Sequence, residues 1–424
     1  MSDETRIREL LREVTPDPAV TIDVEDVRRG ARRRAGRRAA AGSVVLVAAV
    51  AVAGFAVQRG GGHEPPVPID KTPTPTAGTG DWERGPDLPL SPRSRSFTAW
   101  TGTEALVIGG SSQTSVGGPY RVADLKDGAA FDPATSSWRE IAPSPFALDA
   151  GQPSTMVGDV VVIADYRGWL AYDVGDDTWR RLPDPPTDIP QPTLAAEGSV
   201  VYAVDVYVDE SDAPVQVLDL DTDTWSELPR SPHEPQLDQR TLVATPQGLV
   251  VMGDDLSPRQ AGNNPENAHA EVWDGVAWRR FPDSEVQGSG WHWTGERIIS
   301  TYRVAQHDSD RGGLHTFRAG ALDPATGEWS WLPWLPAGDR GLLLDAGWPA
   351  AQGPLVFANG YLYDDATGSS TPVHPPDRTL SSSAFALGDH QLMMFGGYHV
   401  GADQAGERVF PVEPTSEVWL KALG

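Results

Sequence analysis

From Asp81 onward, short apolar runs alternate with turns. Seven segments end at a Gly: Ser96–Gly102, Gln152–Gly158, Pro192–Gly198, Arg240–Gly248, Ser289–Gly295, Asp345–Gly353 and Ser382–Gly388. Each leads into an apolar or β-branched run, such as ALVIGG from Ala105, VVVIADY from Val160, LVVMG from Leu249 and QLMMFGG from Gln391. Two such runs joined by a Gly turn predict a hairpin. A third run then ends at an Asp, a turn follows, and a Trp opens a fourth. The fullest copy of this unit is DPATGEWSWLPWLP at Asp323–Pro336, with relatives at Asp132–Pro143, Asp173–Pro183 and Asp219–Pro229. A shortened copy lies at Trp273–Pro282, and in Asp364–Pro372 Ser370 stands where the Trp would be.

The unit therefore has four strands and recurs about every 50 residues, against propeller periods of about 40–50. The last repeat stops after its third strand, Glu417–Leu420, whereas Trp82–Pro89 is a Trp strand with no preceding three. Pairing the two ends predicts an all-β, seven-bladed propeller. Its N-terminal strand completes the last blade and leaves no long edge open.

The first 80 residues follow other rules. Residues 39–57, AAAGSVVLVAAVAVAGFAV, carry no charge. Their length is close to the ~20 residues that cross a bilayer as a helix. Arg28 to Arg38 holds seven Arg and no acid, while only Arg59 and Lys71 follow closely on the other side. That asymmetry predicts a single-pass anchor with residues 1–38 as a cytoplasmic tail and the rest outside. A cleaved signal peptide is the alternative; the long leader and span-length run favour the anchor. Ile7, Leu10, Leu11 and Val14 mark one face of a short helix in the tail. Residues 58–80 are a Pro, Thr and Gly linker. Residues 81–424 form the propeller.

Charge removes some functions. Residues 1–38 balance at +2, but residues 59–424 carry 24 Lys/Arg against 51 Asp/Glu, a balance of −27. A domain this acidic repels phosphate backbones, so no nucleic-acid partner is expected. There is no Cys, which excludes disulfides, thiolate metal sites and a catalytic thiol. No cofactor is implied.

The Gly109-Gly110 and Gly396-Gly397 pairs at second-strand ends, with the repeated turn-Trp-x-x-(Leu/Ile)-Pro unit, resemble the kelch family of β-propellers. The resemblance covers about residues 81–424. It extends in fold to the galactose oxidases, whose radical cofactor needs a Tyr cross-linked to a Cys; without Cys that activity is not implied. Other kelch-type propellers bind proteins or sugars, and one branch resembles sialic acid mutarotases. The Arg-rich tail resembles cytoplasmic segments of actinobacterial membrane proteins, including some anti-sigma factors, without their zinc-binding His and Cys.

In such a blade the second-to-third and fourth-to-first connections share one face, and the turn-Trp units share the other. The turn-Trp units are alike. The second-to-third loops Ser111–Gly128, Tyr207–Pro214, Gly253–Ala270, Arg303–Thr316 and Gly397–Arg408 all differ, as binding loops on a rigid scaffold do. They supply the candidate ligand contacts Tyr207, Asp209, Glu210, Asp212, Asp254, Asp255, His307, Asp308, Asp310, Arg311, Tyr398 and His399. His292, between Trp291 and Trp293 in an inner strand, is a candidate channel residue or a packed strand His. Trp331 and Trp334 are candidates for exposed aromatics. No residue is assigned as catalytic or metal-binding. The expected function is a non-catalytic binding module for a protein or cell-surface glycan, acting as a monomeric propeller. The alternatives are a carbohydrate-active enzyme with paired carboxylates or an Arg cluster at the channel mouth, and a transmembrane sensor reporting through the tail.

Overall fold

The computed structural model describes residues 82–114, 121–207, 214–233, 237–255, 267–302, 304–307, 315–335, 349–376, 380–402 and 408–423. All belong to one compact unit, Asp70–Gly424. The expected tail, membrane span and linker lie outside the described residues. No helix among the described residues is long and apolar enough to cross a membrane.

Seven four-stranded antiparallel sheets follow one another along the chain. Blade 1 is Phe97–Trp100, Ala105–Ile108, Gly128–Asp132 and Ser137–Ile141. Blade 2 is Ser154–Val157, Val160–Asp165, Gly168–Asp173 and Thr178–Leu182. Blade 3 is Pro192–Glu197, Val200–Asp205, Gln216–Asp219 and Thr224–Glu227. Blade 4 is Leu237–Thr245, Gly248–Asp255, Ala268–Trp273 and Trp278–Arg280. Blade 5 is Ser289–Trp293, Ile298–Tyr302, Gly320–Asp323 and Glu328–Trp331. Blade 6 is Ala350–Gln352, Leu355–Ala358, Tyr361–Asp364 and Ser369–Pro372. Blade 7 joins Ala384–Leu387, Gln391–Phe395 and Val418–Ala422 to Trp82–Arg84 from the other end of the propeller. There Trp82 stands opposite Lys421 and Arg84 opposite Trp419. The expected closure is thus the observed one, and every strand of the ring has a partner.

Local chemistry explains the turn-Trp unit. The Asp132 carboxylate accepts the Ala134 N–H at 2.8 Å and the Thr135 hydroxyl at 2.7 Å, and these bonds hold its pKa below the usual carboxylate value. Asp323 does the same with Ala325 and Thr326. The turn then needs one residue at positive φ before the outer strand. Ser136, Asp177, Asp223, Gly327 and Gly368 occupy it at 51–78°, and Asp and Gly tolerate the left-handed region better than most residues.

The Trp that follows is a bond between blades. Its indole N–H donates to a backbone carbonyl just past the outer strand of the preceding blade. The pairs are Trp138 to Pro86, Trp179 to Ala142, Trp225 to Pro183, Trp278 to Pro229, Trp329 to Pro282, and Trp82 to His374, at 2.6–3.1 Å. Seven hydrophobic clusters fill the seven seams.

The seam between blades 5 and 6 differs. Ser370 replaces the Trp, and its hydroxyl is buried without a hydrogen-bond partner. Its core is Ala-rich: Ala319, Ala321 and Ala358 with Ile299, Leu332, Val356 and Tyr363. A polar clamp joins the blades there instead. Arg297 grips Asp365 with Nε at 2.9 Å and Nη2 at 2.6 Å, Thr294 donates to the same carboxylate at 2.9 Å, and Arg297 reaches the Tyr363 hydroxyl at 3.2 Å.

The two Gly pairs hold the connections between blades. A Cβ on Gly109 would lie 2.2 Å from the Leu148 carbonyl, and one on Gly396 would lie 2.4 Å from the Arg93 carbonyl. Both glycines have positive φ. Arg93, fully buried, binds Asp127 at 2.8 and 3.0 Å and the Gly109 carbonyl at 3.0 Å.

Candidate functional site

The first strand of each blade lines the central channel. A cavity of about 420 Å³ is bordered by Thr98, Trp100, Thr155, Met156, Gln352 and Phe385, together with His292. A second, of about 270 Å³, lies nearer the variable-loop face between Ser96, Gln152, Ser154, Ser383 and Phe385. The described walls are hydroxyls, aromatics and small side chains, and among the described residues no Asp, Glu or Arg borders either cavity. His292 is half-buried and its Nε2 lies 3.1 Å from the Gly353 carbonyl in blade 6. Burial lowers its pKa against the opposing pull of that carbonyl. His292 therefore faces the channel and also ties blade 5 to blade 6.

Charge gathers beside the channel, on the variable-loop face. A cleft of about 220 Å³ opens between blades 1 and 2, lined by Arg95, Asp124, Asp149, Gln152, Tyr166 and Arg167. Four connections build it. Arg95 precedes the inner strand of blade 1 and has φ 55°, the left-handed region, for a residue with a long side chain. Its backbone is held from both sides: its N–H donates to Ser382 at 3.1 Å, and its carbonyl accepts from Ala150 at 2.7 Å. Such an imposed conformation points to a constrained site. Asp149 and Gln152 come from the link between blades 1 and 2. Tyr166 and Arg167 form the two-residue turn between Val160–Asp165 and Gly168–Asp173. Asp124 ends the hairpin Ser111–Thr114/Arg121–Asp124.

The groups are ordered. The Asp165 side chain, 1% exposed, takes Arg167 Nε at 2.7 Å and Gln152 Nε2 at 2.6 Å. Arg167 also donates to the Ala147 carbonyl, and it stacks at 4.5 Å over Phe146 and 4.9 Å over Tyr166. The bond to Asp165 holds Arg167 firmly protonated. The Asp149 backbone N–H donates to Gln152 at 2.9 Å, and its carboxylate faces Arg95 at 3.6 Å. Burial pushes the Asp149 carboxyl above its usual pKa; Arg95 opposes this, while Asp124 and Asp165 add to it. Tyr166 is 88% exposed. The cleft thus offers one open aromatic face beside donors and acceptors of both charges.

The described residues among those expected from sequence lie on separate elements. Tyr207, 49% exposed, lies just past blade 3's second strand, Val200–Asp205, at the edge of the described residues. Asp209, Glu210, Asp212, Asp308, Asp310 and Arg311 lie outside the described residues. Asp254 and Asp255 are strand rather than loop: both belong to Gly248–Asp255, opposite Asp238 and Leu237. The Asp254 carboxylate accepts the Gln239 amide at 3.0 Å. His307 ends the strand Val304–His307, opposite His315 in a hairpin. Tyr398 and His399 also lie in a strand, Tyr398–Ala402, paired with Leu380–Ser381 and Arg408–Pro414. The Tyr398 hydroxyl accepts from Ser382 at 3.1 Å, and His399 Nε2 sits 3.6 Å from Glu417. Apolar alternation was too weak in these stretches to read as pairing. Trp331 and Trp334, expected to be exposed, are half-buried. Among the described residues no three His, Asp or Glu side chains converge as a metal would need.

The cleft residues were missed because their partners are far apart in sequence. Arg95 and Asp149, or Asp149 and Arg167, meet only when two blades pack. One local signal existed: Tyr-Arg-Gly after VVVIAD puts an aromatic at a tight turn, where it must be open to solvent.

No family model matches the chain, and no curated protein does. Among solved structures, one titled "Structure of YjhT" is similar at 13% identity and a TM-score of 0.38, over 58% of this chain and 86% of that one. The fold stands on the strand pairing alone.

Proposed function

We propose that the chain is a kelch-type propeller, anchored in a membrane by residues 39–57 and held outside the cytoplasm, that binds a cell-surface glycan without acting on it. The blade 1–2 cleft carries this reading: the open Tyr166 ring lies beside Arg95, Asp149 and Arg167 in about 220 Å³. A sugar ring has an apolar C–H face and a hydroxyl rim. Tyr166 suits the first and the charged groups suit the second, a mostly preformed site with a few placed polar groups. The kelch assignment is supported by the two Gly pairs and the repeated Trp. The anchor is supported by the uncharged run and its Arg flank. Trp82 enters the ring on the turn-Trp side, opposite the face that carries the cleft.

A glycan array on the full chain in detergent tests the reading. Binding to at least one glycan class is expected, and Tyr166→Ala should weaken it about tenfold, the equivalent of about 1.4 kcal/mol. The thermal midpoint should not move, because Tyr166 is exposed. An array without binding, or binding indifferent to Tyr166→Ala, overturns it; protein captured instead would redirect the reading to a protein partner.

One observation favours a carbohydrate-active enzyme as the second reading. Asp149, whose carboxyl pKa is raised by burial, is near Asp124 and Asp165 in the blade 1–2 cleft, and a carboxyl with a raised pKa is a general-acid candidate. Glycan turnover by the wild type that Asp149→Asn abolishes would establish that reading in place of the first.

A further inference from the structure

A second feature of the variable-loop face lies in blade 5. Arg318 ends the hairpin Val304–His307/His315–Arg318. Its guanidinium lies 4.4 Å from the Trp331 ring centre and 5.0 Å from that of Trp334. Leu332 and Leu335 are each 1% exposed, and Leu332 N–H donates to the Ala319 carbonyl at 2.7 Å. The segment 331–335 is therefore pinned by its leucines, and its two tryptophans are left to flank the arginine.

Among the described residues the arginine has no acceptor. Its Nε is shut from solvent with no hydrogen-bond partner, and none of the ion pairs among the described residues involves it. This is unusual in a domain with 51 acids against 24 bases. Arg93, Arg139, Arg167 and Arg297 each hold a carboxylate. A guanidinium has five N–H donors in a planar fork that matches a carboxylate or phosphate through two parallel bonds. Two indoles supply part of its desolvation through their ring faces but accept no hydrogen bond in the plane of the fork.

We propose that Arg318, gripped between Trp331 and Trp334, is the anchor for an oxyanion on a ligand: a carboxylate or a phosphate monoester group that closes on the fork. The indoles fix the plane of the guanidinium before the ligand arrives, so little side-chain freedom is lost on binding. The site is independent of the blade 1–2 cleft, and loss of glycan binding in Tyr166→Ala leaves it standing.

Arginine-selective dicarbonyl labelling of the full chain in detergent, read by peptide mass spectrometry, tests the proposal. Glucuronate supplies the carboxylate and glucose 6-phosphate the phosphate, each against sodium chloride at equal ionic strength. Arg180, which is exposed and paired with Asp223, serves as the reference. Labelling of Arg318 should slow about tenfold at ten times the dissociation constant of whichever oxyanion binds, with Arg180 unchanged. Protection by one compound alone identifies the group and supports the site. Equal protection by chloride, or none by either oxyanion, overturns it. As a second measurement, the oxyanion that protects should raise the thermal midpoint of the wild type but not of Arg318→Lys, which keeps the charge and loses the fork. An equal rise in both refutes recognition through the fork.

Discussion

Two positions that are equivalent in the repeat should respond with opposite signs. Trp179 in blade 2 donates its indole N–H to Ala142 at 2.8 Å and stacks at 4.7 Å on Tyr172. Trp179→Phe keeps a ring on Tyr172 and deletes the donor. The lost bond costs about 1 kcal/mol, and the smaller ring forfeits roughly as much again in buried surface. In blade 6 the same position is Ser370, whose hydroxyl is buried without a partner. An unpaired buried hydroxyl costs about 1–3 kcal/mol, so Ser370→Ala should recover about 0.5–1.5 kcal/mol of it. At about 2 cal/mol/K of unfolding entropy per residue, the propeller's midpoint should fall by about 3 °C for Trp179→Phe. By the same scaling it should rise by about 1–2 °C for Ser370→Ala. Scanning calorimetry on the full chain decides this, with circular dichroism to confirm that both variants fold. A loss of stability in Ser370→Ala as large as that in Trp179→Phe would refute the account of the Trp as a bond between blades.

Three further outcomes follow from other contacts. Gly109→Ala should lower stability by more than about 3 kcal/mol, because the new Cβ meets the Leu148 carbonyl in a left-handed backbone; calorimetry at matched conditions checks it. Arg297→Met should cost about 2–3 kcal/mol by leaving Asp365 nearly buried and unpaired. A double-mutant cycle with Asp365→Asn should then give a large coupling energy, and additive losses would deny the clamp. Glu271 bonds Ser231 at 2.5 Å, and burial raises its pKa above 4.5. Below that value the carboxyl is protonated in folded and unfolded chains alike, and its contribution to stability is fully present. As pH climbs from there through the folded-state value, the unfolded chain ionises first and that contribution is lost. Glu271→Gln should therefore gain on the wild type as pH rises from 4 to 7, measured as the difference in thermal midpoint; a constant difference would remove burial as the cause.

The architecture was legible because it is written locally. Asp132, Ser136 and Trp138 state a turn and the strand after it without help from the rest of the chain, and five further copies state it again. Trp82 stood without its three strands, and that gap alone was enough to predict the closed ring. What the repeat did not disclose was the second role of its Trp. Burial could be read from spacing, but the acceptor on the previous blade is a backbone carbonyl, which no side chain advertises. The strands carrying Tyr398 and His399, or Asp254 and Asp255, were read as loop for a related reason: their pairing is satisfied by backbone groups and needs little apolar alternation. The cleft was hardest, since Arg95, Asp149 and Arg167 become neighbours only through the packing of two blades.

The joining of Trp82–Arg84 to Val418–Ala422 also has a consequence in time. The strand that completes the last blade is the first strand of the propeller to be made, and its partner is among the last. About 330 residues must be made between them. At synthesis rates of about 5–20 residues per second the early strand waits roughly 20–70 seconds. Through that interval its indole has no carbonyl of His374 to bind, and the inner sheets of the growing arc have an open end. The nascent chain should be most vulnerable to aggregation and proteolysis just before its final residues appear. A ribosome stalled shortly before Val418 would hold six blades and a free edge, and release of the last segment would convert them into a closed ring in one step.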